Sequence, residues 1–306
     1  MARLATQRLT GSVVFEGVGL FSGKPCRVAV RPGNGSGRLT AERADNAGPV
    51  FAADITSVLP STRNTTIVPG GPAGAGEVAL HGVLTTEHLF SALAAHMLFD
   101  VHLEVYGPEI PMMDNSALPF YERLKPWCAA GGPELDVLAP VRPLSMVDPA
   151  DATVSMRATP PGGAENPAAA TALELEYRLD YGADSPILPQ LGAVGLGHDA
   201  ADELTYGLMV APARTFCTLI EAEQMNASGK FGHLQPRDVL VIGPKGPVEN
   251  RYRMASEPAA HKLLDMLGDF HLSGRPLAGT FAASKSGHRH KHEMVRQLLA
   301  AESAGK

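Results

Sequence analysis

The chain passes twice from strand-like into helical patterning, and that order restricts it to few architectures. In the first pass, Leu9–Phe15 and Cys26–Val30 alternate on either side of a turn punctuated by Gly17, Gly19 and Gly23. Residues 31–50 read as loop, and Phe51–Leu59 as a short extended piece. A helix is expected over Thr86–Leu98, where Leu89, Ala92, Leu93 and Met97 share one face. His102–Tyr106 then alternates like a half-buried strand, and a second helix is expected over Pro119–Cys128. Residues 129–140, with Ala-Ala-Gly-Gly-Pro and little apolar periodicity, are the candidate boundary. Beyond it, Val141–Val147 and Ala169–Leu179 read as strands around a Pro/Gly/Ala-rich loop at 158–168. Residues 186–201 read as loop, Asp202–Val210 and Thr215–Asn226 as helices, and Val239–Ile242 as a short strand. The strongest helix of this half is expected from Pro258, capped by Ser256, to Leu272; the last covers Lys291–Ser303. The expectation is an α+β chain of two domains of similar plan, 1–132 and 133–306, each with helices packed on sheet. No internal sequence repeat announces a duplication.

Composition matters at three points. With 44% hydrophobic and 19% charged residues, 306 residues suffice for a packed core. A net charge of −6 argues against broad nucleic-acid binding, which needs a strongly basic face. Three scattered cysteines, Cys26, Cys128 and Cys217, form neither a disulfide framework nor a Cys-x-x-Cys metal site, so a reducing compartment fits. Residues 1–8 have no apolar signal region, and no apolar run reaches membrane-span length. A cytoplasmic location is therefore expected, with no integral membrane segment. Gly70–Gly76 lacks the Lys-Ser/Thr ending of a phosphate-binding loop.

Two local patterns carry chemistry. His261 and Asp265 stand four apart on a predicted helix, on one face, near enough to share a ligand. Zinc takes imidazole nitrogen and carboxylate oxygen, and hydrolytic sites combine three protein ligands with an open position. His88 would serve as the third ligand, and the adjacent Glu87 would take a proton from the attacking water. Taken alone, each pattern is matched by an ordinary surface His–Asp or Glu–His pair. Lys285-Ser286-Gly287-His288 reads as a tight loop that exposes an imidazole able to protonate a leaving amine or steady an oxyanion. The competing reading is a solvated basic turn, since Arg289, His290, Lys291 and His292 follow; such a run would also steer an anionic substrate. Asp114 reads as the organiser of its own loop, and Cys217 as a packed thiol.

Seven segments, in order, resemble signatures of the bacterial UDP-3-O-acyl-N-acetylglucosamine deacetylases of lipid A synthesis. They are Gly17–Gly23, Arg63–Thr66, Thr86–Leu93, Gly107–Phe120, Ala213–Phe216, His261–Asp269 and Lys285–His288. The resemblance implies two βα sandwich domains with the active site between them. It implies zinc, with iron(II) as the cellular alternative, on His88, His261 and Asp265. Glu87 would be the general base and His288 the cationic acid, with Asp269 holding its ring. Thr215 would stabilise the oxyanion. Lys262 would lie by the reaction centre or the substrate's phosphates, with Lys285 also on the substrate. Phe216, with the segment 218–242, would lie near the passage for the fatty acyl chain. The implied partner is a UDP-linked acylated amino sugar, hydrolysed at its 2-acetamido group by a monomer. The alternatives are a paralogous zinc deacetylase for another acylated amino sugar, or a non-catalytic binding protein of the same fold. The chain departs from the family in three places: Phe21 replaces a usual His, Gly232–Asp238 replaces a Gly-Gly-Ser-Leu/Phe-Asp segment, and Ala260 replaces an Arg.

Overall fold

The computed structural model describes residues 2–61, 63–162, 170–197, 200–229 and 231–304. Residues 163–168 of the expected 158–168 loop, and His198, lie outside the described residues.

Two five-stranded mixed sheets share one strand order. The first runs Val13–Val18, Pro25–Pro32, Val101–Tyr106, Thr40–Arg43, Phe51–Ala52. The second runs Leu144–Val147, Ser155–Thr159, Gly279–Ser284, Leu173–Leu179, Gln190–Leu196. In both, the central strand comes last in sequence. It pairs antiparallel with the second strand and parallel with the third, and both outer pairs are antiparallel. A helix immediately precedes each central strand, Glu87–Ala95 in one half and Glu257–His271 in the other; Leu118–Leu124 and His288–Ala304 follow. The α+β expectation of two similar halves is thus met, and a repeat silent in the sequence is explicit in the topology.

Each sheet buries one face. Along Leu173–Leu179, Leu173, Leu175, Tyr177 and Leu179 are buried while Glu174, Glu176 and Arg178 are exposed. This is the alternation of a sheet covered on one side. The two helices that precede the central strands pack on each other between the halves. Every residue of Glu257–His271 except Lys262 is buried, so this helix is surrounded by protein. Leu263, Leu264, Met266 and Phe270 supply its apolar faces; each fully buried side chain of this size stabilises by about 1.5–3 kcal/mol. The helices touch at Gly268, where an added Cβ would fall 2.0 Å from the carbonyl oxygen of Glu87. No side chain fits there, so a missing methyl fixes the spacing between these two helices.

Several local expectations are corrected. Within the candidate boundary, residues 129–136 carry regular structure: Cys128–Asp136 is a strand, antiparallel to Arg3–Leu9, from Leu9↔Cys128 to Arg3↔Asp136. Its Gly132 sits where a Cβ would meet the Gln7 carbonyl oxygen at 2.4 Å, beside a register shift between Ala5 and Gln7. The glycine that suggested loop therefore serves an irregular ladder. The same holds for Gln190–Leu196, expected as loop, where Gly192 admits the Glu257–His271 helix at Ala259 and Leu263. The helix expected from Thr215 begins at Leu219; Phe216–Thr218 is a strand, and Thr218 closes a capping box with Glu221. Ser256 occupies the cap position as expected but makes no side-chain cap hydrogen bond. His288 opens the last helix instead of sitting in an exposed loop, and it is buried.

Candidate metal and hydrolytic site

Three ionisable groups, His261, Asp265 and Asp269, form one stripe of the Glu257–His271 helix at four-residue intervals. A helix buried nearly all round tolerates such groups only when they are paired or ligating. The structure brings His88 and Glu87, at the start of the Glu87–Ala95 helix, against this stripe. Ligand atoms of His88, His261 and Asp265 all lie within 4.8 Å of one another, and all three residues are buried. Asp265 Oδ1 lies 3.5 Å from His261 Nε2 and 3.8 Å from His88 Nε2. Its other oxygen accepts from Lys262 Nζ at 2.9 Å. His261 Nδ1 donates to the Ala213 carbonyl at 3.0 Å, which leaves Nε2 as a free lone pair facing the cluster.

Electrostatics agree with a cation site. Burial pushes His88 down to about 4 and His261 down to about 3, so both rings are neutral at neutral pH and could each offer a lone pair to a cation. Burial would raise Asp265, but the Lys262 charge and then His261 overcome it and hold the carboxyl well below the ordinary range. Two neutral imidazoles and one carboxylate, with an open side toward a cavity, form a donor set suited to zinc.

Opposite this cluster, His288 Nε2 and Glu87 Oε1 face each other at 4.0 Å. Glu87 Oε2 accepts from the Thr65 backbone N–H at 3.0 Å. Burial raises Glu87 to about 7, against the opposing charge of His288. His288 Nδ1 donates to Asp269 Oδ2 at 2.8 Å. Burial alone would lower His288, but the Asp269 charge and hydrogen bond outweigh it and hold the ring above its ordinary value. Thr65 Oγ1 donates to Asp269 Oδ1.

These groups end a cavity of about 640 Å³. Glu87, His88, His261, Lys262, Asp265, Thr215 and His288 line one part of it; Leu20, Phe21, Leu219, Phe231, Val239 and Val241 line an apolar part. Thr215 is half-buried, and its hydroxyl donates to the Asn115 carbonyl at 3.3 Å. Phe216 lies beneath Lys262, whose Nζ is 5.4 Å from the ring centroid. Lys285 is not brought to the cavity wall; its Nζ lies 3.8 Å from Asp180 Oδ2. Asp114 organises its loop, accepting from Ser116 and pairing with Arg253 at 2.9 Å. Burial raises the Cys217 thiol to about 11, which suits packing and not nucleophilic work.

The model of the family LpxC, described as UDP-3-O-acyl N-acetylglycosamine deacetylase, matches residues 6–300. The chain belongs to this family.

Membership in LpxC makes it a deacetylase, a hydrolytic enzyme. It is similar to the UDP-3-O-acyl-N-acetylglucosamine deacetylase of Geotalea uraniireducens (strain Rf4), 30% identical over 96% of this chain and 88% of the relative. It is also similar to the protein of that name from Trichormus variabilis (strain ATCC 29413 / PCC 7937), 31% identical over 95% and 97%. No helix among the described residues is long and apolar enough to cross a membrane.

Three parts of this LpxC-family site escaped the sequence reading. Arg214 and Glu257, both buried, form a multidentate pair in which Glu257 accepts from Arg214 Nε at 2.7 Å and Nη2 at 3.1 Å. That pair fixes the Ala213–Thr215 segment to the start of the ligand-bearing helix. Glu109, fully buried, accepts from the Phe21 and Ser22 N–H groups and from Thr85 Oγ1, and so sets the Gly17–Gly23 turn. Lys291 and His292, which the competing reading of His288 put in a solvated basic turn, are buried. Their i+3 and i+4 spacing from His288, continued by Val295 and Leu298, was the available signal.

Proposed function

We propose that this chain hydrolyses the 2-acetamido group of a UDP-3-O-acyl-N-acetylglucosamine in lipid A synthesis, as a zinc-dependent, cytoplasmic monomer. The observation that carries the reading is the convergence of His88, His261 and Asp265 with Glu87 and His288 at the end of one cavity. His88, His261 and Asp265 would hold the metal. A divalent zinc held there would supply Lewis acidity for the amide carbonyl and for the attacking water.

The remaining work belongs to side chains of this chain. Glu87 takes a proton from the attacking water as the new C–O bond forms. His288, held protonated by Asp269, gives its proton to the leaving nitrogen as the C–N bond breaks, so acetate and a free amine depart. Thr215 would turn its hydroxyl toward the oxyanion, and Lys262 would meet the oxyanion or the substrate's phosphates. Phe216 and segment 218–242 would border the acyl passage, and Lys285, off the cavity wall, would meet the substrate at the rim. In this reading residues 1–132 supply Glu87 and His88, and residues 133–306 supply the rest, with the site between the two domains.

The test is acetate release from UDP-3-O-(3-hydroxyacyl)-N-acetylglucosamine, with elemental analysis of the same preparation. About one zinc per chain and chelator-sensitive release are expected. Zinc without release would reject this substrate. Another acylated amino sugar is favoured by one observation. Two of the three departures from the family meet near the apolar end of the cavity: Phe21 packs edge to face at 5.7 Å on Phe231, which directly precedes the replaced segment, and His233 of that segment lies against Gly23. A series of acyl lengths in the same assay separates the two readings.

The pH dependence follows from the two proton carriers. Activity is expected to fall on the acid side as Glu87 is protonated, below its metal-free value of about 7 because the cation beside it favours the carboxylate. It is expected to fall again on the alkaline side, above the ordinary histidine range, as His288 loses its proton. A kcat/KM profile with a single limb would remove one of the two from its role.

A further inference from the structure

Asp269 is completely buried and is engaged on both oxygens by more groups than the His288 dyad requires. His288 Nδ1 donates to Oδ2 at 2.8 Å. His292 Nε2 donates to Oδ1 at 3.1 Å, and Thr65 Oγ1 donates to the same oxygen. Lys291 Nζ lies 3.5 Å from Oδ2. His288, Lys291 and His292 stand at i, i+3 and i+4 on the last helix, so one helix face turns all three toward a single carboxylate. Lys291 has no exposed surface, and its ammonium makes no hydrogen bond. Lysine is almost never buried completely, and taking its charge out of water is costly unless something in the interior needs it. Neither Lys291 nor His292 lines the cavity, so neither reaches a substrate.

We propose that Lys291 and His292 are positioning residues of the hydrolytic reaction. They clamp Asp269, His292 on Oδ1 and Lys291 beside the Oδ2 that accepts from His288, so that this oxygen is held for Nδ1 and Nε2 stays aimed at Glu87. Without the clamp, Asp269 is free to rotate about its Cβ–Cγ bond and to share its charge with the remaining partners. His288 then loses its fixed orientation. Burial also pushes Lys291 below its ordinary value, with the charges of Asp265 and Asp269 opposing that shift. The role rests on the reading of His288 as the proton donor.

The test compares the parent with His292→Leu, His292→Gln and Lys291→Met, in kcat, KM and the downfield proton resonance of His288 Nδ1–H, assigned by its loss in His288→Ala. His292→Leu and Lys291→Met are expected to lower kcat by about 10- to 100-fold, the usual size for loss of an outer partner that orients an active-site imidazole. KM should stay within about twofold, because no ground-state contact is lost. The resonance should move upfield or broaden. His292→Gln, whose amide N–H can still donate to Oδ1, should recover most of kcat. Parental kcat with an unmoved resonance in a folded Lys291→Met protein overturns the clamp for Lys291, and the same outcome in His292→Leu overturns it for His292. If His292→Leu does not fold, His292→Gln decides for that residue: a loss of kcat as large as that of His288→Ala overturns the proposal. If the parent releases no acetate, the proposed reaction falls, and the resonance alone still decides the clamp.

Discussion

Glu87→Gln is expected to keep its metal and lose about 10²- to 10⁴-fold in kcat, the range that a positioned general base contributes. The substitution is isosteric and leaves His88, His261 and Asp265 untouched. Its amide oxygen can still accept from the Thr65 N–H, as Glu87 Oε2 does at 3.0 Å. What disappears is the basic oxygen that faces His288 at 4.0 Å. Because Glu87 is buried, no solvent carboxylate can replace it. Single-turnover acetate release and elemental analysis on one preparation check this. Retention of more than about a tenth of parental kcat would remove Glu87 as base. Loss of metal along with activity would instead make it part of the ion's binding site.

Arg214→Met is expected to destabilise the fold by about 3–5 kcal/mol, the cost of leaving a buried charge without its partner. Glu257 has no exposed surface and would keep only the backbone N–H groups of Arg214 and Arg253, at 3.2 and 2.7 Å. The damage should also reach the chemistry, since the Ala213 carbonyl next to Arg214 holds His261 Nδ1. Metal affinity should therefore fall with stability. The double variant Arg214→Met/Glu257→Leu should recover much of the lost stability, because it removes the stranded charge as well. Urea unfolding of the three proteins measures this. A single variant within about 1 kcal/mol of the parent would show the pair to be dispensable.

The residues of the candidate site were more legible in the sequence than the sheets around them. His261 and Asp265 were visible because helical spacing is rigid: four residues apart means one face, wherever the helix lies. The Glu87–Ala95 and Glu257–His271 helices were visible for the same reason, through their apolar periodicity. The central strands fared differently. His102–Tyr106 alternates and was read, whereas Gly279–Ser284, the equivalent strand of the second half, was not. Its Gly-Thr-Phe-Ala-Ala-Ser offers Phe281 as the one large apolar residue, and small residues blur the period-two signal. Thr40–Arg43 and Gln190–Leu196 were hidden likewise, the latter by glycines that exist for close packing. Lys291 and His292 were misread on physical grounds of another kind. A basic run is normally solvated, and only a buried carboxylate from a distant helix, Asp269, reverses that preference; no local pattern announces such a partner.

The repeated strand order has a consequence for how the enzyme comes into being. In each half, the helix that carries proposed metal ligands is the one inserted just before the central strand, so each half alone would deliver an incomplete set of ligands. Glu87 and His88 must wait for residues about 170 positions later in the chain before a cation can be held. Contacts of such long sequence separation form late and slowly. Metal uptake at the proposed site would therefore double as a report that the halves have docked. A chain that held the ion there would already have brought Gly268 against Glu87, and the ion would in turn add its binding free energy to the last step of assembly.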